Sequence, residues 1–322
     1  MDPAAEKKRV CVTGAGGFIA SWLVKLLLSK GYIVHGTVQD PSDPKNAHLK
    51  ELHPSATENL QLFKANLLDY ESVASAIAGC EGVFHVASPV PYGRVPNPEK
   101  EIIEPAVTGT LNVLKACSEA KVKRVVVVSS YFAVGLSPDA NDKILDEGAW
   151  SDAEYCRKTE NWYGLSKTLA EREAVNYAEK HGLDVVTVCP VYVIGPLLQP
   201  TVNPSSLFFI HILKGTFSCL EDTSYYYVDV RDVADALFLV YEKPEASGRY
   251  LCGPYKMKLS EMVHKLRSLY PNYKYLEKFI EATSYTLRSE KLEKLGLRYR
   301  TLKESLIDSV ECYQNAGLLD SA

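Results

Sequence analysis

The chain has 322 residues, of which 46% are hydrophobic, and its formal net charge is -4. This length and composition provide for a large core and allow one big α/β domain or two smaller ones. The charge does not indicate a nucleic-acid partner or an anionic membrane surface, and no apolar run approaches the roughly 20 residues of a membrane span.

The N-terminal sequence MDPAAEKKR lacks the apolar core of a signal peptide. The eight cysteines are scattered without a Cys-x-x-Cys pair, which is typical of reduced thiols rather than a disulfide framework or a zinc site. We therefore expect a cytoplasmic protein without a metal, with a small-molecule partner, no nucleic acid and no membrane, and a monomer or weak dimer.

The first predicted element is a buried strand over residues 10–13, followed by a glycine-rich turn and a helix over residues 18–30 that stops at Gly31. Backbone N–H groups and the positive end of the dipole at such a helix N-terminus attract a phosphate. A strand before and a helix after favour a dinucleotide site over a turn without a ligand. The residues expected to contact the cofactor here are Gly14, Gly16, Gly17, Phe18 and Ile19.

A second predicted strand over residues 33–38 completes a β-α-β unit, so the residues after it should face the 2′ position of the adenosine ribose. An Asp would accept from a 2′-hydroxyl, whereas a cation would pair with a 2′-phosphate. Gln39 is neutral, Asp40 is acidic and Lys45 is a candidate cation. The signal is mixed, and Lys45 is equally consistent with a solvated loop lysine.

Strands and helices then alternate strictly up to residue 189. The predicted elements are a strand over 60–65, a helix over 70–78, a strand over 82–87, a helix over 98–121, a strand over 124–130, a helix over 160–180 and a strand over 184–189. This alternation predicts an α/β fold, a Rossmann-type doubly wound parallel sheet. Strand ends in such a sheet face the ligand. They add these expected cofactor contacts: Asn66, Leu67, Val86, Ala87, Ser88 and Ser129.

Beyond Pro190 the alternation weakens. Helices are predicted over 205–214, 233–242, 260–269 and 302–316, with a strand over 249–252 and a tyrosine-rich segment over 223–230. We place a dinucleotide-binding domain at residues 1–190. Residues 191–322 are expected to form mainly a smaller, mixed substrate-binding lid, with some segments returning to the Rossmann core.

The chemistry is predicted from Tyr163 and Lys167, which lie one turn apart on one face of a helix. A free tyrosine has a pKa near 10, and a nearby cation lowers it toward a useful range. The chain contains three Tyr-x-x-x-Lys matches, but only this one lies in a helix between the fifth and sixth predicted strands.

Ser129 and Ser130 end the fifth strand, where a hydroxyl could hold a substrate oxygen beside the phenol or could cap the local backbone. The predicted reaction is hydride transfer from a nicotinamide to a carbonyl carbon. Tyr163 gives the proton, Ser130 polarises the oxygen, and Lys167 tunes the phenol and orients the ribose.

These motifs resemble the extended short-chain dehydrogenase/reductases, through VTGAGGFIA at residues 12–20, VSS at 128–130 and the Tyr163/Lys167 pair. The phrases DPKNAHL at 43–49, NWY at 161–163 and GPLLQPTVN at 195–203 resemble plant cinnamoyl-CoA reductases and their relatives. The resemblance implies NADPH, a phenylpropanoid substrate and catalysis by Ser130, Tyr163 and Lys167. It also implies cofactor contacts at Pro190, Val193 and Ser205.

The chain departs from that family at several positions. Gln39 replaces the usual Arg, which leaves NAD open, and Asn66 replaces the usual Asp. Residues 164–166 differ from the family's tyrosine motif. His211 and Lys214 match a pair associated with CoA esters, but the arginine that usually accompanies them is not evident at 256–261. A hydroxycinnamoyl-CoA thioester is the expected substrate, and hydroxycinnamaldehydes or other aryl-alkyl carbonyls are the alternative. A non-catalytic dinucleotide-binding regulator is a third.

Aromatic residues near the predicted site suggest a pocket for a planar ring. Tyr131 and Phe132 follow the catalytic serine, Tyr192 follows the sixth strand, and Tyr226 lies in the tyrosine-rich segment. Together with His211 and Lys214 they are the expected substrate contacts. With 20 tyrosines in the chain, half of these rings could equally be core or surface residues.

Overall fold

The computed structural model describes residues 7–91, 93, 95–140, 143–282 and 285–320. The chain begins with alternating strands and helices, as its apolar runs predict. The strands are β1 (Arg9–Thr13), β2 (Ile33–Val38), β3 (Leu60–Lys64), β4 (Gly82–His85), β5 (Arg124–Val128), β6 (Ile144–Leu145), β7 (Val185–Pro190), β8 (Tyr192–Ile194), β9 (Leu220–Glu221), β10 (Ser224–Asp229), β11 (Gly248–Cys252), β12 (Tyr255–Lys258), β13 (Phe279–Ile280) and β14 (Thr286–Leu287).

The helices connect and cover these strands. They are α1 (Phe18–Ser29), α2 (Ala56–Asn59), α3 (Tyr70–Ile77), α4 (Glu104–Glu119), α5 (Ala153–Lys158), α6 (Trp162–His181), α7 (Pro204–Leu213), α8 (Val230–Glu242), α9 (Leu259–Leu269), α10 (Lys291–Leu295) and α11 (Leu302–Asn315). Short 3₁₀ segments occupy Pro44–Glu51 and Tyr131–Ala133, and a π-helical segment, Glu99–Ile103, precedes α4.

Seven strands form one parallel sheet in the order β3-β2-β1-β4-β5-β7-β11. Alternate residues of each strand point to opposite faces. Val10 and Val12 pack with α1 and α8 on one face, whereas Cys11 packs with α3, α4 and α6 on the other. Both faces are therefore buried, and the predicted doubly wound Rossmann-type fold is confirmed.

The C-terminal third contributes to two places. The α8 helix and β11 join the central sheet, as expected for returning segments. A separate sheet, in the order β12-β10-β8, packs in a core with α7, α9 and α11. Strands β8 and β12 were not predicted, because each is short and depends on pairing with β10 rather than on a pattern of its own.

The helix that carries Tyr163 begins later than residue 160. Glu160 takes a left-handed conformation with φ 53°, and the side chain of Asn161 accepts a hydrogen bond from the N–H of Gly164 at 2.9 Å. This asparagine cap starts the helix at Trp162. Tyr163 consequently lies in the first turn, at the end of the helix nearest the carboxyl edge of the sheet.

Candidate active site

The glycine-rich turn after β1 is held by its own hydrogen bonds in a conformation that leaves the N-terminus of α1 without a side-chain cap from any described residue. Gly14 has φ 67°, and a Cβ there would lie 3.0 Å from the Cβ of Ala87. Its N–H donates to Thr37 Oγ1 at 3.0 Å, and Gly17 N donates to Gly14 O at 2.9 Å. Among the described residues, no side chain caps the N-terminus of α1. The turn therefore fits a dinucleotide phosphate, and the expected contacts Gly16, Phe18 and Ile19 lie on it.

Asn46 contacts both the glycine-rich turn and the segment after β2, and the sequence did not suggest this role. Its Nδ2 donates to the carbonyl oxygen of Asp40 at 2.8 Å, and its Oδ1 lies 2.4 Å from the position of a Cβ on Gly16. Gln39 and Asp40 are exposed beside it. Lys45 lies in the same segment, with Nζ 2.9 Å from Asp43. Gln39, Asp40 and Lys45 are therefore all exposed in the segment that follows β2.

The end of β4 is held by a buried polar chain. Thr13 Oγ1 accepts the N–H groups of Val86 and Ala87 at 3.0 Å, and its hydroxyl reaches His85 Nδ1 at 3.0 Å. His85 Nε2 lies 3.0 Å from Thr110 Oγ1, whose proton goes to Ala106 O. Nε2 must therefore donate and Nδ1 accept. Burial lowers the pKa of His85 to about 3, so the ring is neutral.

Two of the expected cofactor contacts, Asn66 and Leu67, lie at the end of β3. Asn66 Oδ1 accepts a hydrogen bond from Leu68 N at 3.0 Å, and Leu67 O accepts one from Asn112 Nδ2 at 2.8 Å. The side chain of Leu67 packs against Gly109, where a Cβ would come within 2.7 Å. Asn66 uses only its side-chain oxygen in this contact, so its Nδ2 donor remains available to a ligand. The expected contact Ser88 lies elsewhere, directly after Ala87 in the segment beyond β4.

Ser130, Tyr163 and Lys167 come together at the end of β5, as the sequence predicts. The Ser130 hydroxyl acts on the Tyr163 phenol, whose pKa it lowers, and it accepts a hydrogen bond from Phe132 N at 3.2 Å. Lys167 Nζ lies 5.9 Å from the Tyr163 ring centroid and donates to Val128 O at 3.2 Å. Both roles considered for Ser130, partner of the phenol and local cap, are present.

The electrostatics differ from the expectation. Burial raises the pKa of Tyr163, and the hydrogen bond from Ser130 opposes this only in part. Burial also lowers the pKa of Lys167 to about 8. The expected lowering of the tyrosine pKa by Lys167 is therefore not seen, since desolvation outweighs a cation at this distance. The phenol keeps its proton at neutral pH.

Ser129 points away from this group. Its hydroxyl donates to Glu171 Oε2 at 2.6 Å in a buried cluster. Any cofactor contact of Ser129 would therefore use its backbone. The cluster pairs Glu171 with Arg249, 78 residues later, and no local motif in the sequence marks that pairing.

A series of contacting aromatic rings begins at Tyr163. Phe132, which is 37% exposed, lies edge-on to Tyr163 with centroids 5.4 Å apart. Tyr131 is buried and stacks on Tyr285 at 4.5 Å, and Tyr226 stacks on Tyr285 at 5.7 Å. The Tyr226 hydroxyl accepts from Leu287 N at 2.7 Å. Of the three expected contacts, Phe132 presents the most surface beside the phenol, and Tyr285 was missed.

Tyr192 and Ser205 belong to a second group near the end of β7. Tyr192 donates to Ser205 O at 2.8 Å, and Ser205 Oγ donates to Val193 O at 2.8 Å. Pro190 ends β7 opposite Cys252. The structure thus brings the expected residues Pro190, Tyr192, Val193 and Ser205 into one region.

His211 and Lys214 lie farther along α7. His211 Nδ1 is 3.0 Å from Thr216 Oγ1, and its ring meets Phe217 edge-on at 5.8 Å. Phe217 contacts Phe208, which contacts Tyr192, so a row of aromatic rings connects His211 to the group near β7. Lys214 is exposed at the C-terminus of α7.

A cavity of about 650 Å³ lies beside Tyr163, a size typical of small-molecule pockets. Its walls come from the segment before α4, including Val95, Pro96 and Ile102, and from Trp162 at the start of α6. Thr159, Glu160 and Asn161 also line the cavity, so its wall offers both apolar surface for a ring and polar groups for a hydroxyl or carboxyl. Sequence reasoning missed this wall, because a loop rich in proline gives no periodic signal.

Two features are absent from the part of the chain that the structure describes. No group of three or more His, Cys, Asp or Glu residues is arranged to hold a metal ion. Within the same ranges, none of the helices combines the length and apolar character needed to cross a membrane.

Comparisons with known proteins agree with this geometry. Residues 10–253 match the model of the NAD dependent epimerase/dehydratase family. The chain is 48% identical to cinnamoyl-CoA reductase 1 of Petunia hybrida, over 96% of this chain and 93% of that protein.

Two solved structures are also similar. Vestitone reductase from alfalfa has a TM-score of 0.83 and 34% identity, covering 97% of this chain and 100% of that one. Yeast methylglyoxal/isovaleraldehyde reductase Gre2, complexed with NADPH, has a TM-score of 0.82 and 25% identity, covering 97% of this chain and 100% of that one.

Proposed function

The chain belongs to the NAD dependent epimerase/dehydratase family, and from that premise we propose that it reduces a hydroxycinnamoyl-CoA thioester to the aldehyde with NADPH. It is an NAD(P)-dependent oxidoreductase of the extended short-chain dehydrogenase/reductase type, so the resemblance predicted from its motifs is confirmed. The observation that carries the proposal is the grouping of Ser130, whose hydroxyl lowers the pKa of the Tyr163 phenol, with the buried Lys167, in a chain 48% identical to a cinnamoyl-CoA reductase.

Each of these residues has a role in the reaction. The Tyr163 phenol is protonated at neutral pH and can donate to the carbonyl oxygen, which suits reduction. Ser130, which acts on the phenol, polarises the same oxygen. Lys167 orients the nicotinamide ribose. A nicotinamide bound at this edge of the sheet supplies a hydride, and the overall reaction releases the aldehyde and free CoA thiol.

The alternative substrate is a hydroxycinnamaldehyde or another aryl-alkyl carbonyl. It is favoured by the large side chain of Tyr131 directly after Ser130, which is buried and stacks on Tyr285. A non-catalytic regulator is the third reading, and the intact Ser130, Tyr163 and Lys167 argue against it.

Incubation with a hydroxycinnamoyl-CoA and, separately, with the corresponding aldehyde tests the proposal. We expect the protein to consume NADPH when the thioester is present. The absorbance of the reduced nicotinamide measures this consumption. Turnover of the aldehyde alone would establish the alternative, and turnover of neither would favour the regulator.

The preference for NADPH is a proposal of its own, supported by two lysines near the end of β2. Lys45 lies beside Asp40, and Lys64 is the register partner of Val38, directly before Gln39. Gln39→Arg is expected to raise the NADPH over NADH preference in kcat/KM about tenfold, because a charged hydrogen bond to a 2′-phosphate contributes about 1.5–3 kcal/mol.

Gln61→Arg provides the matched control, since Gln61 is exposed near the other end of the same sheet edge. It adds the same charge away from the ribose and should leave the preference unchanged. An unmoved preference in Gln39→Arg would mean that Gln39 does not face the 2′ position.

Three further proposals complete the description. The dinucleotide-binding domain spans residues 1–190 and the substrate-binding lid mainly residues 191–322, consistent with the separate β12-β10-β8 sheet. The protein is cytoplasmic, which its eight free thiols support. In solution it is a monomer or weak dimer.

A further inference from the structure

Glu171 lies on the same face of α6 as the catalytic pair, four residues after Lys167 and eight after Tyr163. Its side chain is buried, with 1% exposure. Oε1 accepts from Arg249 Nε at 2.8 Å and from Thr187 Oγ1 at 2.7 Å. Oε2 accepts from Arg249 Nη2 and from Ser129 Oγ, at 2.7 and 2.6 Å. One carboxylate thus ties α6 to three strands of the central sheet.

Arg249 extends this connection to the segment that follows the catalytic serine. Its Nη2 donates to Ala133 O at 2.9 Å, and Nη1 donates to Ala149 O. Its guanidinium carbon lies 3.8 Å from the ring centroid of Trp150. Ser130 is therefore held from both sides, through Ser129 before it and Ala133 after it.

The charge of Lys167 depends on few neighbours. Around it lie His85 on β4, Cys189 on β7 and, on α6, Tyr163 and Glu171. His85 is neutral, and burial raises the pKa values of the Tyr163 phenol and the Cys189 thiol. Burial lowers the pKa of Lys167 to about 8. The ion-paired carboxylate of Glu171 is the charged neighbour that raises this pKa and so opposes the effect of burial.

We propose that Glu171 is a positioning residue for the reductase reaction, acting through Lys167 and Ser129 without contacting the substrate. Its carboxylate holds the end of β5 against α6 and keeps the neighbouring lysine in its cationic form. The proposal rests on the proposed function for its kinetic consequence, but its electrostatic part concerns the chain alone.

The test compares Glu171→Gln with the double variant Glu171→Gln/Arg249→Met. The wild-type alkaline limb of kcat is expected near pH 8, since Lys167 loses its proton there. Glu171→Gln removes the anion and leaves Arg249 charged, so the limb should move down by about one pH unit. The ratio of activity at pH 8 to that at pH 6 then falls about fivefold. In the double variant the alkaline limb should also move to lower pH, but by less than in Glu171→Gln.

Asp184→Asn is the matched control. Asp184 pairs with the buried Arg124 at 2.7 Å at the far end of β5 and β7. Losing this carboxylate should leave the alkaline limb in place. Activity lost equally at every pH in both Glu171 variants, with an unmoved limb, would show a purely structural role and overturn the proposal.

A second readout separates this proposal from the proposed function. The pH dependence of NADPH affinity, followed by nucleotide fluorescence, needs no substrate, and Lys167 is assigned to the ribose. The same downward shift is expected there. If Glu171→Gln does not fold, the double variant decides the outcome, because it leaves no unpaired buried charge. Failure to reduce either carbonyl substrate would reject the function, whereas an unshifted binding titration would reject the role of Glu171.

Discussion

Tyr163→Phe is expected to lower kcat/KM by roughly 10³-fold, within the range that a positioned acid or base contributes. The change removes the phenolic proton while keeping the ring that meets Phe132 edge-on at 5.4 Å. NADPH affinity should stay within about twofold, because the glycine turn and Lys167 are untouched. Steady-state kinetics and fluorescence titration of the nucleotide measure the two quantities.

Tyr177→Phe on the same helix is the matched control. Tyr177 stacks on His181 near the C-terminus of α6, far along the helix from Ser130. We expect its kcat/KM to equal that of the wild type. Turnover retained by Tyr163→Phe would contradict the assignment of the proton donor, and equal losses in both variants would point to a folding defect.

Arg249→Met is expected to lower the free energy of unfolding by about 3–5 kcal/mol, the usual cost of breaking a buried ion pair from one side. The variant leaves the Glu171 carboxylate buried with hydroxyl and thiol donors but no cation in hydrogen-bond contact. It also removes the donor to Ala133 O. The midpoint and slope of denaturant unfolding give the change.

The double variant Glu171→Gln/Arg249→Met closes this thermodynamic cycle. It should regain more than half of the lost stability, since neither charge remains buried without a partner. Lys294→Met is the comparison for an exposed pair, because Lys294 and Glu290 are 74% and 61% exposed. Its effect should stay below about 1 kcal/mol. A double variant less stable than Arg249→Met would refute the ion-pair explanation.

Short sequence patterns were sufficient to predict those elements and residues whose placement depends on neighbours a few positions away. The β1–α1–β2 unit follows from an apolar run, a glycine turn and a helix closed by Gly31, and the structure ends these elements within a residue or two of the predicted bounds. Tyr163 and Lys167 needed only helical spacing. Helix α5 and the late start of α6 were missed, because an asparagine cap and a left-handed Glu160 outweigh the helical pattern around them.

Sequence alone therefore determined the sheet class, and it predicted the phosphate turn and the roles of Ser130, Tyr163 and Lys167, because each of these rests on a pattern a few residues long. Tertiary structure decided which side chains surround them. Glu171 meets Arg249 across 78 residues, and Tyr131 meets Tyr226 through Tyr285. It also reversed the expected shift in the Tyr163 pKa, since the balance of burial against charge depends on distances that exist only once distant segments have packed together.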